Sequence, residues 1–202
     1  MGEKKPWFEL HSYVGIRTLL HSASLQAGLH QAGKTTALLT LLGLPIHRAV
    51  PTVGGFDCAV IVRAGPHEFS AGFECEEVKF GRLPLQVWDL QGEPARGLPR
   101  DHYYQGMAAI VFFVDSAEQG RFGDSAAALQ ELLSSPRLPT TAHLLVLANK
   151  QDQAGACSVE EVQQALGLDS VSDRAWHIAG CNATDSGSVA EALEWLNTQT
   201  LK

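Results

Sequence analysis

The sequence has no C-x-x-C pair among its four cysteines (Cys58, Cys75, Cys157 and Cys181) and no H-E-x-x-H among its eight histidines. It also has no apolar run of the roughly 18 residues that a membrane span needs. The first absence, with no secretory signal recognised ahead of it, points to reduced thiols in an intracellular compartment. The second argues against a protein-built zinc site. The third removes a helical span. Positive charge is scarce as well. Fifteen Lys and Arg stand against 22 Asp and Glu, a net charge of −7, so a nucleic-acid partner has no electrostatic support. Linker-like stretches are missing too: 202 residues, 45% of them hydrophobic, suit one domain and fall short of two.

What is present is a regular alternation. Leu85–Asp89, Ala109–Asp115 and Leu144–Asn149 are short apolar runs that read as buried strands, each ending in a polar residue, and Ala175–Ile178 is a further candidate. Between them lie helical patterns: Lys34 to Leu42, and Glu118 to Leu133 with Phe122, Ala126, Leu129 and Leu133 at helical spacing. Ser158-Val159-Glu160-Glu161 and Ser188-Val189-Ala190-Glu191 both read as capping boxes that open helices. Such alternation predicts an α/β fold, a mostly parallel central sheet with helices on both faces. Ligands of such sheets bind beyond the carboxyl ends of the strands, where the polar endings gather.

Gly28-Leu29-His30-Gln31-Ala32-Gly33-Lys34-Thr35 fits G-x-x-x-x-G-K-[ST], in which backbone N–H groups wrap a polyphosphate. Asn149-Lys150-Gln151-Asp152 follows a buried strand as N-K-x-D. A carboxylate at its end takes two hydrogen bonds from the ring N1–H and exocyclic amine of guanine. Adenine presents a mismatched edge and leaves that carboxylate poorly paired. A second pattern is a near repeat: Gly55-Phe56-Asp57-Cys58 and Gly72-Phe73-Glu74-Cys75. It reads as coincidence in a hairpin-rich region or as a local duplication.

These segments, in order with Pro51-Thr52-Val53-Gly54, Val87-Trp88-Asp89, His102-Tyr103-Tyr104, Phe113–Ser116 and Glu194-Trp195-Leu196, resemble the small GTPases of the Arf/Arf-like family from about Leu25 onward. The resemblance implies a Ras-like P-loop fold, GTP or GDP with Mg²⁺ as cofactors, and protein effectors. It implies that Lys34 neutralises the β- and γ-phosphates while the amides of Gly28, His30, Gln31, Ala32, Gly33, Thr35 and Thr36 help form the phosphate site. Thr35 and Thr52 are the implied Mg²⁺ ligands, with Asp89 holding the ion through water. Gly92 would contact the γ-phosphate. Asn149, Lys150 and Asp152 would frame the base, and the Ala183 N–H, beside Asn182, would meet the guanine carbonyl. Phe73, Trp88 and Tyr103 match the aromatic trio that reports the switch state to effectors; ordinary packing accounts for them equally well.

Three departures bear on turnover. Where the family reads W-D-x-G-G-Q, this chain has Trp88-Asp89-Leu90-Gln91-Gly92-Glu93. Glu93 sets a carboxylate near the γ-phosphate in place of a neutral amide, a repulsion on the order of a few kcal/mol at an effective dielectric of about 20. Poor intrinsic hydrolysis is expected, with Glu93 the candidate catalytic position. Gly55–Ala71 reads as an insertion directly after Pro-Thr-Val-Gly, at the hinge of strands that slide in the family when GTP replaces GDP. The strand before the phosphate loop, Ser22–Ala27, is far less apolar than a central strand should be.

Residues 1–22 form a separate N-terminal segment ahead of a G domain at 23–202. Trp7, Phe8, Leu10, Val14, Ile16, Leu19 and Leu20 would line one face of a helix that lies on a membrane, packs on the domain or docks on a partner. Gly2 follows Met1, but Pro6 breaks the M-G-x-x-x-[ST] pattern for myristoylation. A cytoplasmic protein, peripheral on a membrane, is the expected location; Glu3 and Glu9 weaken an organellar presequence. The alternative reading is a degenerate GTP-binding subunit of a larger membrane-associated complex.

Overall fold

The computed structural model describes residues 23–29, 31–41, 43, 45–46, 60–63, 75–80, 83–89, 104 and 107–200. In chain order these form β1 (Ala23–Gly28), α1 (Lys34–Leu41), β2 (Val60–Arg63), β3 (Cys75–Phe80), β4 (Leu83–Asp89), β5 (Met107–Asp115), α2 (Phe122–Leu133), β6 (His143–Asn149), α3 (Val159–Leu166), β7 (Trp176–Gly180) and α4 (Ser186–Thr200). The strands make one sheet in the order β3-β4-β2-β1-β5-β6-β7. Strands β1, β5, β6 and β7 run parallel, while β2 is antiparallel to both β1 and β4, and β3 is antiparallel to β4. The α/β expectation holds.

The parallel half of the sheet is covered on both faces, which is why β5 and β6 read as continuous apolar runs instead of alternating ones. Successive side chains point to opposite faces. Ile110, Phe112, Val114, Leu144 and Val146 meet Leu129 and Leu132 of α2 and Val162 and Leu166 of α3. Ala109, Val111, Phe113, Leu145 and Leu147 meet Ala37 of α1 and Val189, Ala192, Leu193 and Leu196 of α4. Complete burial of each leucine-sized side chain contributes about 1.5–3 kcal/mol. On β6 and β7, His143 and His177 hold Trp195 of α4 between them. The His177 ring is stacked at 5.4 Å, and the His143 ring is edge-on at 6.0 Å.

Three element boundaries differ from the sequence pattern. α2 starts at Phe122, because Gln119–Arg121 turn as a short 3-10 helix, with Glu118 outside the α-helix. α3 opens on the expected capping box: Ser158 Oγ accepts from the Glu161 N–H and Glu161 Oε2 from the Ser158 N–H. α4 does not. Its cap is Asp185, whose Oδ1 accepts from the Gly187 N–H at 3.0 Å, while Ser188 Oγ accepts from the Asn182 N–H at 2.9 Å. Finally, part of the Gly55–Ala71 insertion is a strand. β2 lies between β1 and β4, with Gln26 opposite Val60 and Val60 opposite Asp89.

Candidate nucleotide site

The carboxyl ends of β1, β5 and β6 and the start of α1 converge on one edge of the parallel sheet. Between β1 and α1 the chain makes a tight loop whose backbone only certain residues tolerate. Gly28 has φ 137°, and a Cβ there would fall 2.2 Å from the Phe113 carbonyl oxygen. Gly33 has φ 99°, and a Cβ would fall 2.1 Å from Asn149 Nδ2. Both glycines are therefore required by close approach. Gln31 also takes a positive φ, 65°, inside the same loop.

Lys34 is buried at the first position of α1. Its ammonium donates to the carbonyls of Gly28 at 3.0 Å and Leu29 at 2.7 Å. The loop thus curls around its own lysine, holding a full positive charge beneath the amino end of a helix, where an anion is favoured. Thr35 and Thr36 follow in the first turn, both half-buried.

Asn149, at the end of β6 and almost wholly buried, ties this loop to the far end of the chain. Its Nδ2 donates to the Ala32 carbonyl at 2.7 Å, and its Oδ1 accepts from the Ala183 N–H at 2.9 Å. Thr40 Oγ1 of α1 adds a bond to the Ala183 carbonyl at 2.7 Å. The Ala183 N–H, expected to face a guanine carbonyl, is engaged by Asn149 in this state. Asn182 Oδ1 accepts from both the N–H and the hydroxyl of Thr184.

Lys150 has φ 66° and forms an ion pair with Asp115, a buried carboxylate at the end of β5 whose other oxygen accepts from the Ala117 N–H at 3.0 Å. Asp152, two residues further on, is exposed. Gln151 fastens this turn to its surroundings, donating through its backbone to the Cys181 carbonyl and through Nε2 to the Cys157 carbonyl. Burial pushes the Cys181 thiol up to about 11, against a hydrogen bond from Ser188 and with Asp185 adding to the rise.

Of the expected site residues, Gly28, Gln31, Ala32, Gly33, Lys34, Thr35, Thr36, Asn149, Lys150, Asp152, Asn182 and Ala183 come together here. Asp115, Thr40 and Ser188 join them without having been assigned roles from the sequence. For Asp115 a signal was present: β5 and β6 are apolar runs that both end polar, and their register sets Asp115 opposite Asn149. His30, Thr52, Phe73, Gly92, Glu93, Tyr103 and residues 1–22 lie outside the described residues. Thr35, the residue expected to hold Mg²⁺ through its hydroxyl, lies in the first turn of α1. Asp89 ends β4, which β2 separates from β1 in the sheet.

A buried lysine in a glycine-framed loop, between the central strand and the amino end of a helix, defines a P-loop nucleotide-binding protein of the α/β class. Residues 19–200 match the ADP-ribosylation factor family, and the chain belongs to that family. It is a GTP-binding small GTPase of the Arf type.

Proposed function

We propose that this chain is a guanine-nucleotide switch that recruits protein effectors in its GTP state and hydrolyses GTP slowly. The observation that carries the reading is Asn149, which joins Ala32 of the phosphate loop to Ala183 of the last loop and stands one and three residues ahead of Lys150 and Asp152. A guanine base seated there meets the Asp152 carboxylate with its N1–H and exocyclic amine, while Lys150 flanks the ring. On nucleotide entry the Lys34 ammonium exchanges two neutral carbonyl acceptors for phosphate oxygens, and charge-assisted bonds of that kind are about twice as strong. Thr35 would hold Mg²⁺ through its hydroxyl, and the ion would neutralise phosphate charge.

Thr52 and Gly92 are the candidate γ-phosphate sensors, and Phe73, Trp88 and Tyr103 the candidate effector surface. Glu93 supplies a negative charge where the attacking water should be oriented, which favours slow turnover. The N-terminal apolar segment, with or without an acyl chain on Gly2, suits a cytoplasmic protein that visits a membrane surface. A second reading, a GTP-binding subunit that does not cycle, is favoured by Glu93 together with the separation of Asp89 from β1.

Identifying the nucleotide in protein purified without added ligand tests the shared core of both readings. Bound GDP or GTP is expected, with thermal stabilisation by GDP and none by ADP. Single-turnover hydrolysis then divides the two. Slow cleavage that an activating protein accelerates supports the switch; GTP left intact under both conditions supports the fixed subunit. Adenine nucleotide in the purified protein defeats both.

A further inference from the structure

The sheet has an additional strand where the phosphate site and the Asp89 arm should adjoin. β2 comes from within the insertion, just after the first copy of the Gly-Phe-acid-Cys repeat, and β3 begins at the last residue of the second copy. Both strands flank β4 in the antiparallel sense, with Ile61 and Cys75 each opposite Trp88. Two strands that follow similar sequences thus occupy the two sides of β4, and the inner one also occupies the side of β1.

The consequence for Asp89 is a matter of spacing. Gln26, Val60 and Asp89 lie on one line across the sheet. At about 4.8 Å per strand, the Asp89 backbone stands about 9.6 Å from that of Gln26 instead of about 4.8 Å. A carboxylate holding Mg²⁺ through one water reaches only about 4–5 Å from oxygen to ion. One whole added spacing takes the arm out of range. The topology also shows how the arm can return. Because β2 is antiparallel to both neighbours, β1 and β4 already point the same way, and β4 closes onto β1 without reversing once β2 leaves.

We propose that β2 is a wedge strand that holds the Asp89 arm off the phosphate site, so that guanine nucleotide is retained with little dependence on divalent cation. This rests on the reading of the site as one for guanine nucleotide. The full chain loaded with mant-GDP tests it, by comparing release in Mg²⁺ with release in excess EDTA. Chelation is expected to change the wild-type rate by less than about twofold and to accelerate release at least about tenfold when Gly55–Ala71 is deleted. Ile61→Pro, which breaks a ladder in a strand paired on both sides, is expected to move the same way. Amide exchange in the wild type provides an independent measure: residues 60–63 should be protected as strongly as β1.

Strong EDTA acceleration in the wild type, or loop-like exchange at residues 60–63, overturns the wedge. If the deletion fails to fold, those two wild-type measurements still decide. Failure to bind mant-GDP at all defeats the guanine-site reading instead, and exchange at residues 60–63 continues to report whether the strand is there.

Discussion

Cys181 sits one residue beyond β7, with its backbone N–H bonded to the Ala148 carbonyl and its thiol sealed from solvent. Burial raises its pKa from 9.0 to about 11. The unfolded thiol therefore ionises above pH 9 while the folded one resists. Stability from this position is fully present below pH 9 and is lost as pH rises from 9 toward 11. Urea midpoints across that window should fall for the wild type and fall less for Cys181→Ala. At pH 8, iodoacetamide should label the half-buried Cys157 and spare Cys181 until denaturant is added, as peptide mass mapping will show. At this scale the sequence is explicit about identity and silent about state. Gly28 to Thr35 names a phosphate loop, but no spacing rule says that Lys34 rests on the carbonyls of Gly28 and Leu29. Nor does N-K-x-D reveal that Asp115 pairs with Lys150, since that contact joins two separate strands.

Elements were legible where local chemistry decides them. β5 and β6 announced themselves through unbroken apolar runs, and α3 through Ser158 and Glu161. The start of α4 misled because Asp185 and Ser188 are both good caps three residues apart, and the non-local bond from the Asn182 N–H claims Ser188. The difference is measurable. Ser158→Ala and Asp185→Ala should each cost about 1 kcal/mol in chemical denaturation. Asp185→Ala should also speed exchange of the Gly187 amide, whereas Ser188→Ala should leave that amide alone and expose the one at Asn182. β2 was hidden for another reason. Val60, Ile61 and Val62 are a plain β-branched run, but the resemblance reads Gly55–Ala71 as an insertion and says nothing of where it lies in the sheet. Which strand lies beside which is a long-range choice that residue pattern alone does not encode.

Across the described residues, the Asn149 side chain ties the phosphate loop to the loop that holds Ala183. Replacing Asn149 with alanine leaves the Ala32 carbonyl and the Ala183 N–H buried and unpaired, at about 1–3 kcal/mol each. Asn149→Ala should therefore lower stability by about 2–6 kcal/mol and weaken mant-GDP binding at least about tenfold, read from urea denaturation and fluorescence titration of one preparation. The same link has a consequence for how the protein is made. Among the described residues, the buried members of the core under α2 and α3 come from Met107 or later, and Asn149 lies 117 residues beyond the loop atom it holds. At about 5–20 residues per second, a ribosome delivers Asn149 roughly 6–25 s after Ala32. During that interval the phosphate loop exists without its asparagine, so the part of the site that is synthesised first waits for a side chain made much later.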